Sequence, residues 1–277
     1  MFGPSAAGVA RGARAVHSNG FLSSRGQLQH VALVFLNSDG VRCPPLPSSS
    51  GSAGEPSVFE RVWRCARYRV CADGAANRLF DGLCTDARRT AYTPDLIKGD
   101  LDSIRKDVRT FYAGRGVQVV CDGDQDHHDL DKCLMSLQDL QAQWVADGGE
   151  EMTVVVLGAF GGRLDQEMAN LNMLFRWQSF GKLLFMSDDS TAMLLPPGEH
   201  EIHPNLEVES TTCGLVPLGG PCAQVRTSGL RWDLHGEPLA FGGMVSTSNE
   251  IVGSTVTVQT DGPLIWTTVL RGSTALR

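Results

Sequence analysis

Between Val31 and Met186 the sequence alternates short runs of consecutive apolar residues with longer segments of helical spacing. This alternation constrains the fold more than any other feature. Val31-Ala-Leu-Val-Phe-Leu36 contains no polar residue, as a strand buried on both faces requires. Val58 to Tyr68 then places Val58, Val62, Cys65 and Ala66 at helical spacing, Arg69-Val-Cys-Ala72 is a short strand, and Ala75 to Phe80 opens another helix. Pro94 to Ile97 is extended, Ser103 to Tyr112 is helical, and Val117 to Cys121 is a strand. Leu130, Cys133, Leu134, Leu137, Leu140 and Trp144 recur at helical spacing. Met152 to Leu157 is the most β-like run, Leu164 to Phe175 is a helix, and Leu183 to Met186 is a last strand. Strands and helices alternating at these lengths predict a parallel α/β sheet with helices on both faces.

After about residue 190 helical periodicity is absent, and short runs bounded by turn residues predict an antiparallel β-sandwich or partial barrel. The expected fold class is therefore an N-terminal parallel α/β domain, residues 29–190, followed by a C-terminal antiparallel β domain, residues 191–277. Residues 43–57 are rich in Pro, Ser and Gly and read as a flexible surface insertion. Residues 1–28 carry Arg11, Arg14 and Arg25 and no acid, which fits a disordered tail or a mitochondrial targeting segment. Their sparse apolar content favours the tail and a cytoplasmic location. The eight cysteines form no C-x-x-C pair, and several, such as Cys71 and Cys121, lie in apolar runs, so buried reduced thiols are expected. No apolar run reaches the roughly 18–20 residues that span a bilayer, so no membrane partner is expected. A net charge of −7 without a basic stripe argues against nucleic acid as a partner.

Acidic residues recur at one structural position in the α/β half, the carboxyl end of a strand. Asp73 follows one strand, Asp100 and Asp102 the next, Asp122 to Asp131 a third, and Asp165 comes after Gly158-Ala-Phe-Gly-Gly162. In an open parallel sheet these ends form the ligand crevice, so the acidic turns converge. So many carboxylates repel one another unless a cation neutralises them, and Mg²⁺ is the hard, oxygen-seeking cation that such turns suit. Ser103 is a favourable N-cap for the helix after the Asp100–Asp102 turn. Lys132 and Arg163 would favour a polyphosphate, and the glycines before Arg163 can turn backbone N–H groups toward an anion. Arg163 reads equally as a surface partner of Asp165. Neither G-K-[ST] nor G-x-G-x-x-G follows a strand, so P-loop and dinucleotide chemistry are unsupported. His127 and His128, with no third imidazole or thiol at useful spacing, read as turn residues or hydrogen-bond donors. In the β half, Trp232 is either a core residue or a platform for a cationic aromatic ring, and Val245-Ser-Thr-Ser-Asn249 is either a polar turn or an edge that hydrogen-bonds a heteroaromatic.

Six strings in order resemble the eukaryotic thiamine pyrophosphokinase family. They are Ala72-Asp-Gly-Ala-Ala-Asn-Arg78, Gly99-Asp-Leu-Asp-Ser103, Asp124-Gln-Asp-His-His-Asp-Leu-Asp-Lys132, Gly161-Gly-Arg-Leu-Asp-Gln166 with Ala169-Asn170, Gly229-Leu-Arg-Trp-Asp-Leu234 and Val245-Ser-Thr-Ser-Asn249. The resemblance implies transfer of a pyrophosphoryl group from ATP to the hydroxyethyl oxygen of thiamine, and a homodimer with thiamine near its interface. It implies that Asp100, Asp102 and Asp129 bind Mg²⁺, with Arg163 and Asp165 completing the catalytic group. It also implies that Gln125, Lys132, Arg163 and Asp165 surround the polyphosphate, that Asp73 and Asn77 line the crevice, and that Trp232, Ser246, Ser248 and Asn249 face thiamine. Asp102 or Asp165 would orient the hydroxyl. The chain departs from the family pattern at Ala75, Leu101, His128, Leu130 and Asp131. Asp131 either adds charge beside the metal site or points away on its helix. It motivates a second reading, a thiamine-binding protein without turnover; a Mg²⁺-dependent nucleotide hydrolase would leave Trp232 and Ser246 to Asn249 without a purpose.

Overall fold

The structure is a computed structural model that describes residues 14–23, 30–43 and 56–272. The chain divides into two compact units. One comprises Gln27–Met173 and Lys182–Asp188; the other joins the N-terminal stretch to Leu174–Gly181 and Asp189–Arg277. The first described strand, β1 (Ala15–Ser18), belongs to the second unit.

In the first unit, β2 (Val31–Phe35) is followed by α1 (Val58–Cys65), β3 (Ala66–Ala72), α2 (Ala75–Gly82) and α3 (Asp86–Ala91). Then come β4 (Leu96–Gly99), α4 (Lys106–Ala113), β5 (Gln118–Cys121), α5 (Asp129–Ala146), β6 (Thr153–Leu157), α6 (Leu164–Arg176) and β7 (Lys182–Met186). The strands lie in the order β7-β6-β2-β3-β4-β5, and each adjacent pair is parallel. Every residue of β2 and β6 is buried, which is why both read as unbroken apolar runs. The chain moves outward from β2 through β5, then returns to the other side of β2 with β6. Neighbouring loops after β2 and β6 therefore run in opposite directions, and that switch point opens a crevice at the carboxyl edge.

Several local expectations are corrected. The helix from Val58 ends at Cys65 rather than Tyr68, because Ala66 and Tyr68 already pair with Val31 and Ala32 of β2. Ser57, assigned to the flexible insertion, instead caps α1 in a reciprocal box with Glu60. Residues 44–55 of that insertion lie outside the described residues. α3 was not foreseen because none of its residues is buried, so it carries no apolar period. α4 begins at Lys106 with Arg105 before it, so Ser103 does not cap it. Cys121 is exposed on the edge strand β5, whereas Cys71, Cys133, Cys213 and Cys222 are buried, and all eight thiols are free. Among the described residues no helix is long and apolar enough to cross a membrane.

The second unit contains β8 (Ser190–Leu195), β9 (Gly198–His203), β10 (Glu209–Val216), β11 (Cys222–Ser228), β12 (His235–Leu239), β13 (Ser246–Glu250), β14 (Val256–Thr260) and β15 (Leu264–Leu270). One antiparallel group runs β13-β10-β15-β8 and a five-stranded sheet runs β1-β9-β14-β11-β12. Leu195, Leu215, Leu264 and Trp266 from the first meet Ile202, Val225, Val256 and Val258 from the second in one core, a sandwich. β1 lies within the stretch expected to be a tail or targeting segment. It pairs in parallel with β9, and Phe21 and Leu22 just after it are buried. Four residues with one β-branched side chain give little signal by themselves; the free edge of β9 supplies the pairing. Residues 1–13 and 24–29 lie outside the described residues.

Candidate functional site

The turn after β3 places Asp73 in the left-handed region, at φ 39°, and buries its side chain almost completely. Its two carboxylate oxygens accept from the backbone N–H groups of Ser103 at 3.0 Å and Ile104 at 3.2 Å. Asp73 thus pins the turn after β4, where Leu101 also takes a positive φ of 63°. Non-glycine residues adopt this conformation only when the surroundings hold them there, and such residues gather at ligand sites. In the same turn Asp100 accepts from Asp102 N–H at 3.2 Å. Gly99 has no alternative: a Cβ there would lie 2.7 Å from Asp73 Cβ and 2.9 Å from Asp129 Oδ1.

The missing Cβ lets Asp73, Asp100 and Asp129 approach until one oxygen of each lies within 4.8 Å of the others. Burial first, then the charges of Asp73 and Asp100, push the Asp129 carboxyl above its usual range, with Lys132 opposing. Lys132 Nζ is 3.9 Å from Asp129 and donates to the Asp122 carbonyl at 2.9 Å, and its side chain is buried. Three hard oxygen donors without enough local positive charge fit a small divalent cation. Asp102, expected among the ligands, stands outside this group and accepts from Ser103 Oγ at 2.8 Å, while Asp73 stands inside it. Asp131 is fully buried, 4.0 Å from His127 Nε2, and is not part of the group either.

The other expected residues divide between the crevice and its supports. Asn77 braces the metal-side turn: its Nδ2 donates to Ser103 carbonyl at 2.8 Å and its Oδ1 accepts from Arg105 N–H at 3.0 Å. Gln125 sits in an exposed loop held by Asp122, Asp124 and His127, and it does not line the crevice. Arg163 and Asp165 form an exposed two-point pair at 2.5 and 3.1 Å, which holds the Asp165 carboxyl below its usual range. The N–H groups of Gly161 and Gly162, expected to face an anion, both donate to the Glu167 carboxylate at 2.8 Å. A crevice of about 670 Å³ joins these parts, lined among others by Asn37, Asp39, Asp73, Arg78, Asp129 and Arg163. Asn37, Asp39, Arg78 and Glu167 were missed by sequence reasoning. Asn37 and Asp39 follow β2 at the switch point, a placement that the strand order alone would have exposed.

In the second unit Asn249 is buried and closes a two-way bond with the Trp232 backbone. Its Oδ1 accepts from Trp232 N–H at 3.2 Å and its Nδ2 donates to Trp232 carbonyl at 2.9 Å. The same amide reaches Ser246 Oγ at 3.4 Å, and Ser248 takes a φ of 55°. With its backbone fixed in this way, the Trp232 side chain stands 59% exposed, which excludes the core reading. Arg231 lies 5.6 Å from the ring centre.

Comparison with known proteins places the chain in a family. Residues 59–186 match the family model described as the thiamin pyrophosphokinase catalytic domain, and residues 199–265 match the vitamin B1 binding domain of thiamin pyrophosphokinase. Thiamine pyrophosphokinase 1 of Oryza sativa subsp. japonica is 43% identical over 227 residues, 78% of this chain and 84% of that one. Thiamine pyrophosphokinase 1 of Arabidopsis thaliana is 39% identical over 266 residues, 91% of this chain and 92% of that one. The crystal structure of yeast thiamin pyrophosphokinase shares the fold, with a TM-score of 0.77 and 24% identity over 94% of this chain and 92% of that one. With both family domains matched in order and relatives aligned over most of their length, this chain belongs to the thiamine pyrophosphokinase family.

Proposed function

We propose that this protein transfers the pyrophosphoryl group of ATP to thiamine, giving thiamine diphosphate and AMP, with Mg²⁺ as the required cation. The observation that carries the reading is the close approach of Asp73, Asp100 and Asp129 at the carboxyl edge of the parallel sheet, in a chain that matches both the catalytic and the vitamin B1 binding domain of the family. These three carboxylates would hold Mg²⁺, which when bound neutralises charge on the phosphates and withdraws electron density from the phosphorus under attack. In the transfer, the hydroxyethyl oxygen of thiamine bonds to the β-phosphorus. The bond from that phosphorus to the oxygen bridging it to the α-phosphorus breaks, and AMP leaves with that oxygen.

The chain's own residues divide the remaining work. Arg163 is exposed and, among the described residues, paired with a carboxylate two residues away, so a phosphate competes for it easily. Asp165, which lines the crevice, or Asp102, in the turn after β4, would accept the thiamine hydroxyl proton. The exposed Trp232 ring would offer a π face to the cationic thiazolium of thiamine, with Ser246, Ser248 and Asn249 on β13, where Asn249 holds the Trp232 backbone. A homodimer follows from the family resemblance and enters here as part of the proposal. Asp131 is buried and is not one of the three clustered carboxylates, which weakens the part of the case for a thiamine-binding protein without turnover that rested on it.

The test is a product assay on the purified full chain. With ATP and Mg²⁺, AMP should form in a one-to-one ratio with thiamine consumed, and chelation of the metal should stop it. ADP as the product, or AMP release that ignores thiamine, overturns the proposal.

A further inference from the structure

Within Ala72-Asp-Gly-Ala-Ala-Asn-Arg78, Asn77 spends both ends of its amide on the turn at Ser103 and Arg105. The next residue on α2 behaves differently. Arg78 reaches the wall shared by two hollows, the crevice that holds Asp73 and Asp129 and an adjoining hollow of about 600 Å³ that includes Val41, Arg42 and Asp81. One guanidinium nitrogen, Nη2, donates to Asp39 Oδ1 at 2.7 Å. The Asp39 side chain is 85% exposed, so solvent screens this pair. Nε of the same guanidinium is buried and has no hydrogen-bond partner among the described residues. A buried donor without an acceptor is unfavourable, and an exposed ion pair offsets little of that. The side chain is therefore held in an orientation that uses only part of its donor set. A small rotation that exchanges Asp39 for an anion inside the crevice would let Nε and Nη donate together to two oxygens of one group, the geometry that suits phosphate.

Position selects which phosphate. Two of the three carboxylates that would hold the cation, Asp73 and Asp129, lie in the first hollow, and the adjoining hollow has room for a nucleoside. Arg78 stands between them. We propose that Arg78 binds the phosphate adjoining the nucleoside of the donor nucleotide, the one that departs in AMP, by a two-point contact made in exchange for Asp39. This rests on the phosphoryl-donor reading above, but its test does not require turnover.

The experiment measures binding of AMP, which carries that phosphate alone, to the intact protein by calorimetry. Arg78→Gln should weaken AMP binding about 10- to 100-fold, the effect of losing charge-assisted hydrogen bonds to a phosphate. Thiamine binding should be unchanged. Arg78→Lys, which keeps the charge but lacks the fork, should recover only part of the loss. Asp39→Asn, which removes the competing carboxylate, should leave AMP binding equal or tighten it a few-fold. If Arg78→Gln unfolds, Arg78→Lys, which keeps the charge, carries the test by itself: it should still bind AMP more weakly than the unaltered protein. Unchanged AMP affinity in Arg78→Gln, full recovery by lysine, or a loss in Asp39→Asn as large as in Arg78→Gln each overturns the assignment. A protein that binds AMP through Arg78 yet forms no AMP from ATP and thiamine sinks the proposed activity and leaves this assignment standing.

Discussion

At the scale of single residues, the site depends on one side chain that is absent and one that is strained by its neighbours. Gly99 lets two carboxylates meet where any other residue would collide with both. Asp129 then sits where burial and two like charges raise its carboxyl above the ordinary range. A group in that position favours function at the expense of the apo fold. Asp129→Asn should therefore raise the thermal midpoint of the metal-free protein, since the folded state no longer confines a third negative charge. It should also lower kcat about a hundredfold or more, because the cation loses a charged ligand worth several kcal/mol. Calorimetric melting in chelator and the AMP assay read the two effects separately, and a lowered midpoint would show that the carboxylate stabilises the fold. The sequence marked Asp100 and Asp102 by their place in the turn after a strand, and the family resemblance added Asp129. It could not separate Asp73 from Asp102, because the choice depends on which backbone N–H groups and hydroxyls each carboxylate finds in space.

At the scale of elements, β1 shows how a short segment is held by side chains on its neighbour. His200 on β9 donates from Nε2 to the Pro196 carbonyl at 2.7 Å, and its Nδ1 shares a 3.0 Å hydrogen bond with His17 Nε2 on β1, accepting it when His200 is neutral. Burial lowers the His200 pKa from the ordinary histidine value and so favours its neutral form in the folded chain. The groups around it are His17 and, on the neighbouring residues of β1 and β9, Arg14, Glu199, Glu201 and His203. In the window below about pH 6.5 the unfolded chain takes up a proton at this position that the folded chain resists. This contribution to stability is complete above that pH and is lost as pH falls toward the lowered folded value. The melting midpoint should drop between about pH 7.5 and 5.5, and His200→Gln should flatten that part of the slope. An equal slope in the variant would place the sensitivity elsewhere. The pairing itself was illegible in the sequence, because β1 is four residues long and its partner lies about 180 residues later.

At the scale of the whole molecule, an acidic chain that handles polyphosphate must borrow positive charge, and the exposed Trp232, Phe241, Met244 and Val252 mark apolar surface on the β unit. If the family's homodimer holds for this chain, light scattering at assay concentration should give twice the mass of one chain, and a monomer that retains full activity would refute it. By itself the sequence determined the architecture of both units and the strand ends where chemistry gathers, because apolar periodicity and turn residues are local properties. It also carried the family, since six short motifs survive in order. Only the tertiary structure decided that Asp73 joins Asp100 and Asp129, that Glu167 occupies the glycine turn, that Asn77 is a brace, and that Arg78 faces the crevice. Each of those outcomes depends on distances between residues far apart in the chain, and these are set by strand order and side-chain packing rather than by spacing along the sequence.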